Sequence, residues 1–255
     1  MVTIKTKEEI EILKEGGKNL AFILDELKKL VAPVVSTIVF EEEAQKLLKE
    51  LGDKASFLGY KPDGARRKYP ASVCVSINEE VVHGIPNEDP KILKEGDVVT
   101  LDMGVIHKGL FVDGAITVGV GKITPEAERM LKATEESLMA GIKMAREGNT
   151  IGDIGHAIEA VSETYKLSQA DDLCGHGVGY AVHEEPYVPN FGKPGTGLKL
   201  KSGMVLAIEP MLTLGKGAVK LMPDGYTYST KDKSLSAHFE HTVVITSGDP
   251  IIVTK

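Results

Sequence analysis

Four carboxylates and one histidine sit in segments of this chain that otherwise read as buried strand. They are Asp102 in VVTLDMGV, Asp113 in LFVDGAITV, His176 in CGHGVGY, Glu209 in VLAIEPM and Glu240 in AHFEHTVVIT. A carboxylate in an apolar strand is costly unless it is paired or metal-bound. The fold must therefore bring these acids together. Four carboxylates and one imidazole suit two divalent metals of the hard or borderline kind. The charges balance with room for a bridging hydroxide, and water held between two such ions is a strong nucleophile at neutral pH. Metal-assisted hydrolysis is the chemistry implied.

The spacing around Lys108-Gly109 supports convergence. A two-residue turn there pairs 107 with 110, so Asp102 faces Ala115 and Asp113 lies two places away on the same face. A register with 102 directly opposite 113 also puts both acids on one face. The plainer alternative is that one Asp caps a turn and the other is solvated. For Glu209 and Glu240 the alternative is a buried ion pair with a lysine. His176 lies between two glycines, which lets backbone and metal approach closely.

The rest of the chain alternates in pattern. A helix is predicted from about 7 to 31, opened by a Thr6/Glu9 capping box and striped by Ile10, Leu13, Leu20, Ile23, Leu24, Leu27 and Val31. A second runs from Thr37 to before Gly52. The loop SFLGYKPDGARRKYP, the strand SVCVSI and the 98–120 hairpin follow. Thr124 and Pro125 open a third helix, with Leu131, Leu138, Ile142 and Met144 on its buried side. Thr150, with Asp153 three places on, opens a fourth that runs to about Tyr165. The remainder is mostly strand. The order helix, helix, strands therefore occurs twice. It predicts an α+β fold of two similar halves, 1–121 and 122–255, fused into a single catalytic domain over 1–255. Asp102 and Asp113 come from the first half and the other three donors from the second.

Composition narrows the function. A net charge of −7 argues against nucleic acid as main ligand. No run of eighteen apolar residues spans a membrane, and the charged N-terminus has no signal-peptide pattern. Two cysteines, Cys74 and Cys174, read as small buried apolar residues in a reducing cytosol.

Two more histidines read as functional. His83 in NEEVVHGIP and His183 in VHEEP are placed to donate to a substrate carbonyl or an oxyanion. His107, His156, His238 and His241 read as structural.

The segments NEEVVHGIP, LDMGV, FVDGAITV, GHGVGYAVHEEP, AIEPML and FEHTVVIT, in that order, resemble the type I methionine aminopeptidases over nearly the whole chain. The resemblance implies a pita-bread fold, with two pseudo-twofold-related halves around a curved antiparallel sheet. It implies a monomeric cytoplasmic enzyme that removes the initiator methionine from nascent polypeptides, by attack of a metal-bridging water or hydroxide. Two divalent ions (Co, Mn, Fe or Zn) would be held by Asp102, Asp113, His176, Glu209 and Glu240. Asp113, Glu240 and Asp102 would serve one metal or bridge both, and His176 and Glu209 would serve the other. Glu209 would also move protons, His83 would contact the scissile amide, and His183 would steady the tetrahedral intermediate.

The same resemblance places Tyr60, Tyr69, Cys74, Val182 and Tyr226 around the methionine side chain. There the chain departs from the family. KPDGARRK is longer than the usual spacing. Val182 stands where bacterial members commonly have phenylalanine, and Tyr226 where tryptophan is frequent. The ARRK cluster reads as a solvated loop, or as a group that approaches ribosomal RNA or an acidic peptide. The rival readings are an X-Pro-directed peptidase of the same fold, which usually carries a further N-terminal domain, and an inactive peptide-binding relative. A metal-free creatinase-like enzyme is a third. The last two should show a degraded donor set, and all five donors are present.

Overall fold

The structure, a computed structural model, describes residues 2–255. In the first half the chain runs α1 (Lys7–Lys29), α2 (Ile38–Leu51), β1 (Lys54–Ala55), β2 (Cys74–Ile77), β3 (Glu80–Val82), β4 (Val98–His107) and β5 (Leu110–Gly119). The second half opens with α3 (Pro125–Met144), α4 (Ile151–Tyr165), β6 (Ser168–Gln169), β7 (Gly175–Gly177), β8 (Glu184–Val188) and β9 (Val205–Ile208). It ends with β10 (Met211–Thr213), β11 (Val219–Leu221), β12 (Tyr228–Thr230), β13 (Ser236–His238), β14 (Glu240–Val244) and β15 (Ile251–Ile252). The repeat of two helices before strands is present.

Both halves share one nine-stranded sheet, ordered β1-β4-β5-β14-β9-β7-β8, with β2 on β4 and β15 on β14. All its pairings are antiparallel. Two three-stranded sheets, β13-β10-β6 and β11-β12-β3, complete the molecule. Alternation sorts the central strands. Leu101, Met103, Val105 and Val112 pack with α1 and α2, while Leu206, Ile208 and Val243 pack with α3 and α4. The opposite side of these strands carries the acids.

The helices start as their caps dictate. The Thr6/Glu9 and Thr150/Asp153 boxes are formed, and Thr124 Oγ1 accepts from Ala127 N. Thr37 differs. Its hydroxyl donates to Pro86 O at 2.9 Å and accepts from Lys91 N at 3.0 Å, so it staples α2 to a distant loop instead of capping it. Helix α1 ends at Lys29, and Val31 is half-buried beyond it.

The buried face of α3 is wider than the expected stripe. Leu131 and Met144 are only partly buried, and the buried stripe is Ala127, Met130, Ala133, Thr134, Ser137, Leu138, Gly141 and Ile142. Small residues allow close approach to α4: a Cβ at Gly141 would lie 2.8 Å from Ile158 Cγ1. Helical periodicity marks large apolar side chains and passes over a seam of small ones.

Candidate metal centre

Strand register places the expected ligands. Asp102 pairs with Ala115, and Ala115 pairs with Glu240, so Asp102 and Glu240 share one face across three adjacent strands. Asp113 lies two residues from Ala115 on that face, as the two-residue turn predicts. Beyond β14, Thr242 pairs with Ala207 and Ala207 with His176. Continuing that register brings Glu209 opposite Glu240. All five donors thus occupy one face, at a cavity of about 960 Å³.

Distances confirm the convergence. Donor atoms of Asp113, His176 and Glu240 lie within 4.8 Å of one another. His176 Nε2 is 3.4 Å from Glu209 Oε1. Asp102 lines the same cavity. His176 Nδ1 is 2.9 Å from Gly177 O. A carbonyl only accepts, so Nδ1 carries the proton and the Nε2 lone pair of the neutral ring is free to ligate. The flanking glycines serve backbone packing: a Cβ at Gly175 would collide with Ala207 O, and one at Gly177 with Glu185 O.

The electrostatics suit a bound cation. Asp102, Asp113, Glu209 and Glu240 are buried, and among the described residues no lysine or arginine pairs with them; their near neighbours of opposite character are His176 and His238. Burial pushes the Asp102 carboxyl up to about 7, with Glu209 adding repulsion and His238 opposing it. Burial, then Asp102 and Glu209, raise Asp113 well above the usual range. Burial, then Asp113, Glu209 and Asp102, raise Glu240 likewise, and its Oε1 has no partner. Acids that suppress one another's ionisation are the donor set a pair of divalent cations would relieve. The residues fit the group.

Two histidines stand beside the acids. His183 Nδ1 is 2.9 Å from Tyr60 Oη, and its ring meets that of His176 edge-on with centroids 4.4 Å apart. Loss of water in the cavity, then His176 and His83, push its pKa down. His83, at φ 61°, lines the cavity edge-on to Tyr228. Its pKa is also lowered, first by burial.

Next to the acids lies an apolar wall. Cys74 pairs with Asp102 across β2 and β4 and is buried with Tyr69, Phe57 and Tyr226. Tyr69 is edge-on to both Phe57 and Tyr226, and its hydroxyl donates to Gly84 O at 2.8 Å. Tyr60 lines the cavity with them. Val182 packs in the same cluster but is not among the lining residues. The longer loop is held in place: Arg67 donates to Asp224 O at 3.2 and 3.0 Å and pairs with Glu88, while Tyr226 Oη donates to Arg67 O. The reading as a purely solvated loop is thereby corrected for Arg67, whereas Arg66 stays exposed at the cavity.

His238, read as structural, stands against the acid cluster. Its Nε2 lies 3.4 Å from Glu209 Oε2 and 3.9 Å from Glu240 Oε2. The available signal was alternation, since His238 and Glu240 are two residues apart on one face.

A converging donor set beside an apolar pocket is matched by a family model, that of metallopeptidase family M24, over residues 11–247. The chain belongs to metallopeptidase family M24. A methionine aminopeptidase of Aquifex aeolicus is 45% identical over 100% of this chain and 99% of its own. The crystal structure of a Thermotoga maritima methionine aminopeptidase superposes with TM-score 0.95 at 41% identity, covering 100% of both chains. The prolidase of Pyrococcus furiosus shares the fold, with TM-score 0.75 at 21% identity, and the match spans 99% of this chain and 65% of that one. The M24 chain is thus an enzyme of the pita-bread fold. Among the described residues no helix is long and apolar enough to cross a membrane.

Proposed function

We propose that this M24 enzyme is a methionine aminopeptidase acting on new polypeptides that begin with methionine. The observation that carries the reading is the five-donor face bordered directly by the Tyr60, Tyr69, Cys74 and Tyr226 wall. Full-length relatives bearing that name support it.

Asp102, Asp113, His176, Glu209 and Glu240 hold two divalent cations, drawn from Mn, Fe, Co or Zn. When bound, these ions supply Lewis acidity toward a water and toward the scissile carbonyl. Glu209, at the cavity edge of the acid cluster, takes a proton from the attacking water and returns it to the leaving amine. A neutral His183 that accepts the Tyr60 hydroxyl at Nδ1 carries its own proton on Nε2. That N–H, with His83, donates to the carbonyl oxygen as charge develops there. The lowered basicity of both rings keeps them neutral. The apolar wall takes the thioether side chain, its depth limited by Cys74 and Tyr69. The free cysteines Cys74 and Cys174 fit a reducing cytosol. Exposed Arg66, Lys61 and Lys68 are the groups open to a ribosomal contact.

The deciding experiment strips the protein with chelator, restores Mn²⁺ or Co²⁺, and measures amino-acid release. Met-Ala-Ser and Met-Pro peptides should release methionine in a metal-dependent way, and Ala-Pro and Leu-Ala should not react. Preferential cleavage of Ala-Pro would reassign the enzyme to X-Pro substrates. Metal binding with no cleavage would make it a peptide-binding relative.

A further inference from the structure

Glu209 lies between two imidazoles. Its Oε1 is 3.4 Å from His176 Nε2, and its Oε2 is 3.4 Å from His238 Nε2. His176 has a role in the ligand set, and the mechanism above uses nothing of His238. Yet His238 is 1% exposed and neither of its ring nitrogens has a hydrogen-bond partner. Buried polar side chains are as a rule satisfied, so an orphaned imidazole aimed into a site calls for a cause.

Its placement is built. Thr117 Oγ1 accepts from His238 N at 2.9 Å and donates to His238 O at 2.6 Å. Thr100 lies 2.9 Å from that same hydroxyl across the sheet. The row Thr100–Thr117–His238 runs parallel to the row Asp102–Ala115–Glu240, two residues along the strands. Met211 pairs with His238 from β10. The imidazole therefore has a fixed backbone and a fixed face, and Glu209 and Glu240 are the acceptors in front of it. Glu209 is anchored too, by Asn190 Nδ2 donating to its backbone carbonyl at 3.1 Å. The 3.4 Å gap is slightly longer than a formed N–H···O bond.

We propose that His238 is a positioning residue: its Nε2–H is the donor that holds Glu209 Oε2, leaving Oε1 turned to the His176 side. This rests on the reading of Glu209 as a ligand. A carboxylate held from behind keeps one oxygen in place for a cation and does not swing between modes. Such outer partners typically contribute 10–100-fold in metal affinity or activity.

The test compares wild type, H238M and H238Q in calorimetric titrations with Mn²⁺ and in the visible spectrum of the Co²⁺-loaded protein. H238M, with no donor, should bind more weakly by roughly 10–100-fold and show an altered Co²⁺ absorption. H238Q, which keeps an N–H donor, should recover most of the affinity. Equal affinity and an identical spectrum in H238M would overturn the proposal, as would an H238Q as weak as H238M. Wild type that binds neither ion would bring down the centre itself, a distinguishable result. Should H238M not fold, imidazole ¹H–¹⁵N spectra of the wild type decide. The Nε2–H tautomer, responding to Zn²⁺, is expected; an Nδ1–H tautomer sinks the idea.

Discussion

The acids of the cavity floor come from strands β4, β5 and β14 and from the residue after β9, with His176 supplied by β7, whereas the apolar wall comes largely from the loops around residues 57–69 and 221–226. On the floor, backbone register sets every position, and charges that repel one another are held together by the sheet. On the wall, side chains hold loops: Arg67 reaches Asp224 O and Tyr226 reaches Arg67 O. The electrostatics run in opposite directions. On the floor, Asp102, Asp113 and Glu240 are pushed up in pKa by burial and by neighbouring acids. On the wall, burial also raises Asp224, but hydrogen bonds from Thr227 and Tyr226 outweigh it and leave its pKa lowered. The floor is thus strained until it binds a cation, while the wall is satisfied as it stands. Substitutions on the floor should act on chemistry, and those on the wall on fit.

The harshest probe of this contrast is Glu209→Gln. It keeps the shape, removes a charge and a proton carrier, and should lower kcat by about 10³-fold or more with the fold intact. Near-normal turnover, measured by methionine release with circular dichroism as control, would end the dual role of Glu209. Next in size is His183→Ala, which removes a donor at the border of floor and wall. By the behaviour of oxyanion donors, kcat should fall about 10²–10³-fold with less change in KM. A change confined to KM would move His183 from the reacting atoms to substrate positioning.

The pH dependence of stability separates floor from wall directly. Asp102 titrates near 7 in the folded metal-free protein, above its ordinary value. A carboxyl with a raised folded pKa contributes fully below its unfolded pKa, and the contribution is lost as pH rises through the folded value. The stripped protein should therefore lose melting temperature from pH 5 to 8, by roughly 5–10 °C, and Mn²⁺ should abolish the loss. Asp224 works the other way: its contribution is present above its unfolded pKa and fades as pH falls below it. A melting temperature of the stripped protein that is flat or rises across pH 5 to 8 would refute the strained-floor account.

The floor was legible because strand alternation and a two-residue turn are arithmetic. Lys108-Gly109 sets the 102–115 pairing, and Asp113 follows. His238 escaped because it belongs to β13, in a different sheet from Glu240, although the chain runs straight from one into the other. Part of the buried face of α3 was missed because Gly141, which meets Ile154 and Ile158 of α4, carries no hydrophobic signal. Along the wall, KPDGARRK shows only polar composition. Nothing local in it predicts that Arg67 reaches a carbonyl 157 positions away. Loops of this kind take their shape from distant partners, and a single sequence does not display those pairings.

The mildest probe lies there. Tyr226→Phe deletes one hydroxyl, the donor to Arg67 O, and keeps the ring that is edge-on to Tyr69 at 5.1 Å. A neutral hydrogen bond of this kind contributes about 1 kcal/mol. The loss should loosen the 61–68 loop and raise KM for Met-Ala-Ser several-fold, with kcat nearly unchanged, because no floor residue touches that hydroxyl. Steady-state kinetics on metal-loaded protein would show it. A fall in kcat comparable to that of His183→Ala would mean that the wall governs the reacting geometry as well as the fit, and the division between the two regions would have to be abandoned.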